Sequence, residues 1–219
     1  MKAMILAAGR GMRLRPLTQY CPKPLLKVGH QRLIEHHIMK CAAAGFEAIV
    51  INTAYLGHMI ETTLGDGERY GIELKYSHEG EQALETGGGI AYAKNFLGES
   101  PFLCISADIY TDMPFDSNFT LNQDCHLMMV DNPPHHLRGD FSATELGIND
   151  NSQRYTYSGV AYLNPQIFTH DKRAYPLLEV FNRAIQQQRI SAQIFQGTWF
   201  DVGTASRLHA AHRNALGIK

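Results

Sequence analysis

The stretch Lys2-Ala3-Met4-Ile5-Leu6-Ala7-Ala8-Gly9-Arg10-Gly11-Met12-Arg13-Leu14-Arg15-Pro16 decides how the chain folds. A mostly apolar run over 2–6 stops at Ala7-Ala8-Gly9, which reads as a buried strand followed by a glycine-bearing loop to about Pro16. Working outward, Leu33, Ile34, His37, Ile38, Cys41 and Ala42 recur at the helical period. Residues 32–44 are therefore a helix, which Gly45 closes. Residues 47–52 are a second strand, and 56–64 a short helix ended by Gly65-Asp66-Gly67. Over 72–77, Ile72, Leu74 and Tyr76 alternate with Glu73, Lys75 and Ser77, the pattern of a half-buried strand. Gly87-Gly88-Gly89 reads as a turn opening a helix to about Phe96. The fourth strand, Phe102-Leu103-Cys104-Ile105-Ser106, is apolar without alternation, which places it centrally in a sheet.

Strands alternating with helices in this way imply right-handed crossovers and a mostly parallel sheet covered on both faces. The second half differs. Residues 126–131, 141–148 and 155–163 are strand-like with no helix between them. A helix at about 176–188, a strand near 192–196 and a helix at about 205–216 after Thr204 complete the chain. There is no internal repeat, low-complexity segment or linker. The expectation is one α/β domain whose later strands build a lid or substrate subregion.

The 219 residues carry 20 Lys+Arg against 21 Asp+Glu, a net charge of −1, which argues against a strongly basic nucleic-acid binder. Hydrophobic residues at 44% and charged residues at 19% are globular proportions and argue against disorder. No apolar run approaches the roughly 20 residues of a membrane span, and the N-terminal apolar run is too short for a signal peptide. Cys21, Cys41, Cys104 and Cys125 show no CxxC spacing and read as reduced thiols, so a cytoplasmic protein is expected. The histidines, His170 among them, are scattered without HExxH spacing.

In open α/β sheets, ligands sit outside the carboxyl ends of the strands. The first strand is followed by Gly9, Arg10, Gly11, Arg13 and Arg15. The second ends at Asn52 and Thr53. The third precedes His78, Glu79 and Gly80, then Glu85-Thr86-Gly87-Gly88-Gly89. The fourth precedes Asp108 and Asp112, and Trp199-Phe200-Asp201-Val202-Gly203-Thr204 leads into the last helix. With Lys23, these gather glycines, cations and lone carboxylates on one edge. A polyphosphate with a divalent metal needs that set: glycine amides approach phosphates, Arg and Lys neutralise them, and carboxylates hold the metal. Taken singly, each has a plainer reading. The 9–15 loop is then a turn, Asp108 a cap or turn residue, Asp201-Val202-Gly203-Thr204 a turn, and His135-His136 beside Pro133-Pro134 a loop-packing feature. The loop lacks GxxxxGK[ST]. Leu14 replaces the third glycine of a dinucleotide fingerprint and Asn52 its acidic residue, which argues against a nicotinamide-dependent oxidoreductase.

Residues Leu6 to Thr18, followed by Cys21-Pro22-Lys23-Pro24-Leu25, closely resemble the signature of sugar-phosphate nucleotidyltransferases: G-x-G-x-R with a downstream P-K-P. The likeness runs through Asp108 to Trp199–Thr204, over nearly the whole chain. It implies a Rossmann-like, three-layer αβα fold with a mixed, mostly parallel central sheet, of the nucleotide-diphospho-sugar transferase type. Residues 1–112 would form a nucleotide-binding half and 113–219 an acceptor-sugar and lid half. The implied reaction joins a sugar 1-phosphate to a nucleoside triphosphate, releases pyrophosphate and uses Mg²⁺. Within the family, residues 85–90 and 131–141 look most like members that make UDP-N-acetylmuramate from UTP and N-acetylmuramate 1-phosphate in bacterial cell-wall recycling.

The resemblance also implies roles. Ala7, Ala8 and Gly9 would hold the nucleotide's base and sugar, and Gly11 and Arg13 would cradle the triphosphate. Arg13 and Lys23 would be catalytic, with Lys23 on the reacting phosphates. Asp108 and Asp201 would ligate Mg²⁺. Gly87 and Gly88 would approach the base or ribose. Asn52, Glu79 and Asp140 would face the base or the acceptor sugar, and Arg138 or His136 a lactyl carboxylate. Met12 stands where the family often has a small polar residue, and Ala107 where glycine is common. Another pair stays open: glucose-, mannose- or heptose-1-phosphate with UTP, GTP or dTTP. A non-catalytic sugar-nucleotide-binding regulator should have lost some of Arg13, Lys23, Asp108 and Asp201, and all are present. No hexapeptide repeat follows, and a monomer or loose dimer is expected, with neither nucleic acid nor membrane as partner.

Overall fold

The apolar run at 2–6 becomes the strand around which the sheet is built. A computed structural model describes residues 1–80, 83–148, 153–168 and 174–218; His170 lies outside them. In chain order the elements begin with β1 (Lys2–Leu6), a hairpin of β2 (Lys27–Val28) and β3 (Gln31–Arg32), α1 (Leu33–Ala43), β4 (Ala48–Thr53) and α2 (Gly57–Leu64). Next come β5 (Glu73–His78), α3 (Glu85–Tyr92), α4 (Lys94–Leu97), β6 (Phe102–Ser106) and β7 (Ile109–Thr111). The rest comprises β8 (Cys125–Val130), β9 (Phe141–Ser142), β10 (Arg154–Leu163), α5 (Leu177–Gln186), β11 (Ile190–Ile194), β12 (Trp199–Asp201) and α6 (Ala205–Ala215).

The main sheet has the order β11-β8-β10-β6-β1-β4-β5, with β9 pairing β10. Strands β6, β1, β4 and β5 are mutually parallel. Strand β10 lies antiparallel between β6 and β8, and β11 is parallel to β8. This is the Rossmann-like mixed sheet expected from the sequence. Of the later strands, β8 to β11 join the same sheet and β12 does not. After β1 the chain lays β4 and β5 on one side and returns to lay β6 on the other. The carboxyl ends of β1 and β6 therefore flank a topological switch point, where α/β sheets form their ligand crevice.

Alternate residues of β1 reach opposite faces, as strand geometry requires. Met4 joins a core with Cys104, Ile90, Val180 and Phe181, beneath α3 and α5. Ala3 and Ile5 join another with Ile34, Ile38, Ile60 and Ile105, beneath α1 and α2. Full burial of each large aliphatic side chain contributes about 1.5–3 kcal/mol, so Ile34 and Ile38 alone hold α1 firmly on the sheet. Gly45, at φ +77°, ends that helix as expected.

Three expectations need correction. Gly87, Gly88 and Gly89 lie inside α3, buried, not in a turn before it. Of 141–148, only Phe141–Ser142 is strand, and Thr144–Leu146 forms a 3-10 turn. The short β2–β3 and β7–β12 pairs fall where the sequence pattern assigns no strand, and Arg32, expected in the first helix, lies in β3. Cys41, Cys104 and Cys125 are buried free thiols, and burial pushes each up to about 12. Among the described residues, no helix is long and apolar enough to cross a membrane.

Candidate active site

Leu6 is in register with Asn52 on one side and Ser106 on the other, so three strands end together. The loops leaving them line a cavity of about 410 Å³. Ala7, Ala8, Gly9, Gly11 and Arg13 line it together with Lys23 and Asp108. Asn52, Glu79, Glu85 and Thr86 line it as well. Gly11 takes a left-handed conformation at φ +61°, which glycine adopts without strain. A Cβ there would press on Thr18, whose hydroxyl donates to Gly11 O at 2.8 Å. Lys23 sits in a single 3-10 turn between Pro22 and Pro24, whose rings fix the backbone φ. It is 8% exposed, and its Nζ donates to Asp108 Oδ2 at 2.7 Å.

The structure gives Asn52 and Glu79 a bracing task. Asn52 Oδ1 accepts from Ala7 N–H at 2.8 Å, and Asn52 Nδ2 donates to Glu79 Oε1 at 2.5 Å. Glu79 Oε2 accepts from Leu84 N–H at 2.8 Å. The chain after β1 and the entry to α3 are thus tied together across the cavity. Gly89 leaves room for this pair, since a Cβ there would collide with both side chains. Gly87 and Gly88 do not line the cavity. Both donate their N–H groups to Tyr175 O, at 2.9 and 3.1 Å, and Gly87 lies against the Tyr175 ring. Close approach does explain these glycines, but what approaches is the protein's own chain.

Asp108 and Asp201 meet through the β7–β12 ribbon. Ile109 pairs with Asp201, and Val202 N–H donates to Asp108 O at 2.7 Å. Asp201 Oδ2 accepts from an Arg207 guanidinium nitrogen at 2.9 Å. His135 Nε2 lies 3.1 Å from Asp201 Oδ1, but the two are not aligned as a hydrogen bond. Oδ1 is buried without a hydrogen-bond partner among the described residues. Mg²⁺ takes hard oxygen ligands, commonly one or two carboxylates plus substrate phosphates. The carboxylates of Asp201, whose Oδ1 has the His135 ring nitrogen for a neighbour, and of the half-exposed Asp108 suit that demand. Among the described residues, no group of three or more His, Cys, Asp or Glu could hold an ion by itself.

A second cleft, about 360 Å³, adjoins the first. His135, His136, Asp140, Tyr157, Trp199 and Arg207 line it. Asp140 is a brace here: one oxygen lies 2.9 Å from His136 Nε2 and the other accepts from Tyr157 N–H at 2.8 Å. Arg138 is not in this cleft; it lines a separate surface groove with Leu137 and Arg154. The two clefts share Arg13, Ser106 and Asp108. Two ligands lying one in each would meet at a cation and a carboxylate.

The Nucleotidyl transferase family model matches residues 2–127. The chain belongs to this family. A nucleotidyltransferase of this kind joins a sugar 1-phosphate to a nucleoside triphosphate. The chain is 44% identical over 227 aligned positions to the N-acetylmuramate alpha-1-phosphate uridylyltransferase of Neisseria meningitidis, covering 96% of each. It is 33% identical over 126 positions to the mannose-1-phosphate guanylyltransferase catalytic subunit beta of Danio rerio, covering 56% of this chain and 35% of that one. In fold it is similar to a putative glucose-1-phosphate thymidylyltransferase from Bacillus anthracis, with a TM-score of 0.82 at 21% identity, covering 100% and 96%. It is also similar in fold to HddC from Yersinia pseudotuberculosis, with a TM-score of 0.78 at 19% identity, covering 97% and 98%.

The sequence of this nucleotidyltransferase gives Arg207 and Ser106 no part in the site, and it names Thr86 only within the glycine-rich stretch. Arg207 carried a usable signal: it follows the cap Thr204 by three residues, so the first turn of α6 returns it to Asp201. Thr86 accepts at Oγ1 from Leu177 N–H at 2.7 Å, tying α5 to the cavity wall.

Proposed function

We propose that the chain transfers the uridylyl group of UTP to N-acetylmuramate 1-phosphate, giving UDP-N-acetylmuramate and pyrophosphate. The observation that carries the geometry is the sharing of Arg13, Ser106 and Asp108 by two adjoining clefts. The near full-length likeness to the Neisseria enzyme supports the substrate pair. UTP occupies the larger cavity, its phosphates toward Lys23 and Asp108. The acceptor occupies the cleft of His135, His136 and Arg207.

A phosphate oxygen of the acceptor forms a bond to the α-phosphorus as the bond from that phosphorus to the bridging oxygen breaks, and pyrophosphate carries away the electron pair. The nucleophile is already an anion, so no side chain has to remove a proton. The obstacle is repulsion: two unit charges 4 Å apart repel by about 4 kcal/mol at the effective dielectric of a protein surface. Arg13, on both clefts, and Lys23, at the phosphate end, offset it with fixed positive charge. Asp108 and Asp201 would hold Mg²⁺, which when bound neutralises phosphate charge and orients the reacting groups. Arg207 orients Asp201, while Asn52 and Glu79 hold the nucleotide cavity open.

Phosphorus NMR of the protein with UTP, N-acetylmuramate 1-phosphate and Mg²⁺ tests this reading. Paired diphosphate-ester resonances together with pyrophosphate are expected. Release of inorganic phosphate alone would overturn it.

A further inference from the structure

Strand β7 has two edges, and among the described residues only one has a strand beside it. Asp108 O accepts from Val202 N–H at 2.7 Å, and Asp112 N–H donates to Thr198 O at 3.1 Å. Even-numbered groups therefore face β12. By the period of two, the carbonyls of Ile109, Thr111 and Met113 face the other way, toward α1. Buried carbonyls require donors, and α1 provides them. His37 Nε2 lies 2.9 Å from Ile109 O. Lys40 Nζ donates to Thr111 O at 3.2 Å and also to Met113 O. Three positions apart, His37 and Lys40 share one helix face. Two side chains thus stand in for the missing neighbouring strand.

Neither residue suits its surroundings otherwise. His37 is fully buried, and its Nδ1 has no hydrogen-bond partner among the described residues. Burial holds its pKa down at about 3, so the ring is neutral and Nε2 is the donor. Lys40 runs over the Phe115 ring, 4.3 Å from its centroid, and burial lowers its pKa to about 8. Apolar side chains would fill this space with no orphaned nitrogen and no partly desolvated charge. What they lack is a donor for the outer edge of β7, which begins one residue after Asp108.

We propose that His37 and Lys40 are positioning residues that act through the β7 backbone to set Asp108 against Asp201, and so set the metal affinity of that pair. The inference rests on reading Asp108 and Asp201 as metal ligands. Residues that orient metal ligands from behind are typically worth about 10- to 100-fold in metal affinity.

The test is Mn²⁺ binding, read by electron paramagnetic resonance on the full chain with a non-hydrolysable UTP analogue and no acceptor, so that nothing turns over. His37→Leu, which keeps the packing and drops the donor, is expected to weaken Mn²⁺ binding by about 10-fold or more, with His37→Gln restoring most of it. Should His37→Leu fail to fold, Lys40→Met decides in the same way, because its stem still covers Phe115. Wild-type Mn²⁺ affinity in the folded variants, with weakened affinity in Asp201→Asn, would overturn the positioning role alone. Unchanged affinity in Asp201→Asn would overturn the metal reading beneath it.

Discussion

Lys23 Nζ donates to Asp108 Oδ2 at 2.7 Å, so the cation expected to bind phosphate and the carboxylate expected to bind metal neutralise each other before substrate arrives. The lysine side chain is 10% exposed and the aspartate 44%, so solvent screens the pair from one side only. A metal on Asp108 and a phosphate on Lys23 would each release the other's partner. Their binding is therefore coupled, each favouring the other.

That coupling gives a test with an unusual sign. Lys23→Met is expected to lower turnover by about 100-fold or more, the scale for removing a charge-stabilising group. In the nucleotide-free protein the same change is expected to tighten Mn²⁺ binding, because a neighbouring positive charge is gone. Calorimetric titration with Mn²⁺ reads the second effect. Weaker binding in the variant would contradict the coupling. Asp108 is open enough to be solvated, so the loss of thermal stability is expected to stay near 1 kcal/mol.

Asp108→Asn and Asp201→Asn should each reduce kcat by about 100-fold or more while leaving the fold intact. Circular dichroism with steady-state kinetics checks both. Asp201→Asn is expected to lower the melting temperature more, because it removes the charge facing the half-buried Arg207. Near-normal turnover in either variant would remove that residue from the metal assignment.

The two clefts separate residues that lie close together in sequence. His136 lines the cleft proposed for the acceptor, whereas Arg138 faces a different groove. His136→Ala is expected to raise KM for N-acetylmuramate 1-phosphate several-fold, and Arg138→Ala to leave it unchanged. Initial rates over an acceptor series decide it. A KM effect confined to Arg138→Ala would place the acceptor on the opposite face of the 131–140 loop.

His37 links the site to acid stability. Its ordinary pKa is 6.5 and burial holds it at about 3, so between these values the unfolded chain binds a proton that the folded chain does not. Its share of stability is therefore complete above pH 6.5 and is lost as pH falls toward 3, at up to about 1.4 kcal/mol per pH unit. Urea midpoints at pH 7, 5.5 and 4.5 are expected to fall less steeply in His37→Leu than in the native chain. Parallel slopes would contradict the buried, neutral ring.

Much of the nucleotide side was legible in the sequence because its signals are local. A continuous apolar run followed by Gly9 and Gly11 marks β1 and its loop, and Lys23 stands out between two prolines. The rest depends on contacts between distant segments. Gly87–Gly89 looks like a turn until Tyr175, far along the chain, is seen packed against it. Strands β7 and β12 are only three residues each, too short to show a period, yet their pairing brings Asp108 to Asp201. His37 lies on the apolar face of α1, and nothing in that pattern reveals the carbonyl it serves. Asn52 and Glu79 fall after strand ends, where ligand contacts are expected. The structure adds that each is already bonded to the other and to backbone.

The most direct measurement is pyrophosphate release with Mg²⁺ across a grid of UTP, CTP, GTP, ATP and dTTP against N-acetylmuramate-, N-acetylglucosamine-, glucose- and mannose-1-phosphate. Release concentrated in the pair UTP and N-acetylmuramate 1-phosphate is expected. Release centred on a different pair would contradict the assigned substrates while keeping the reaction, and silence across the grid would contradict the assignment of these two clefts to nucleotide and acceptor.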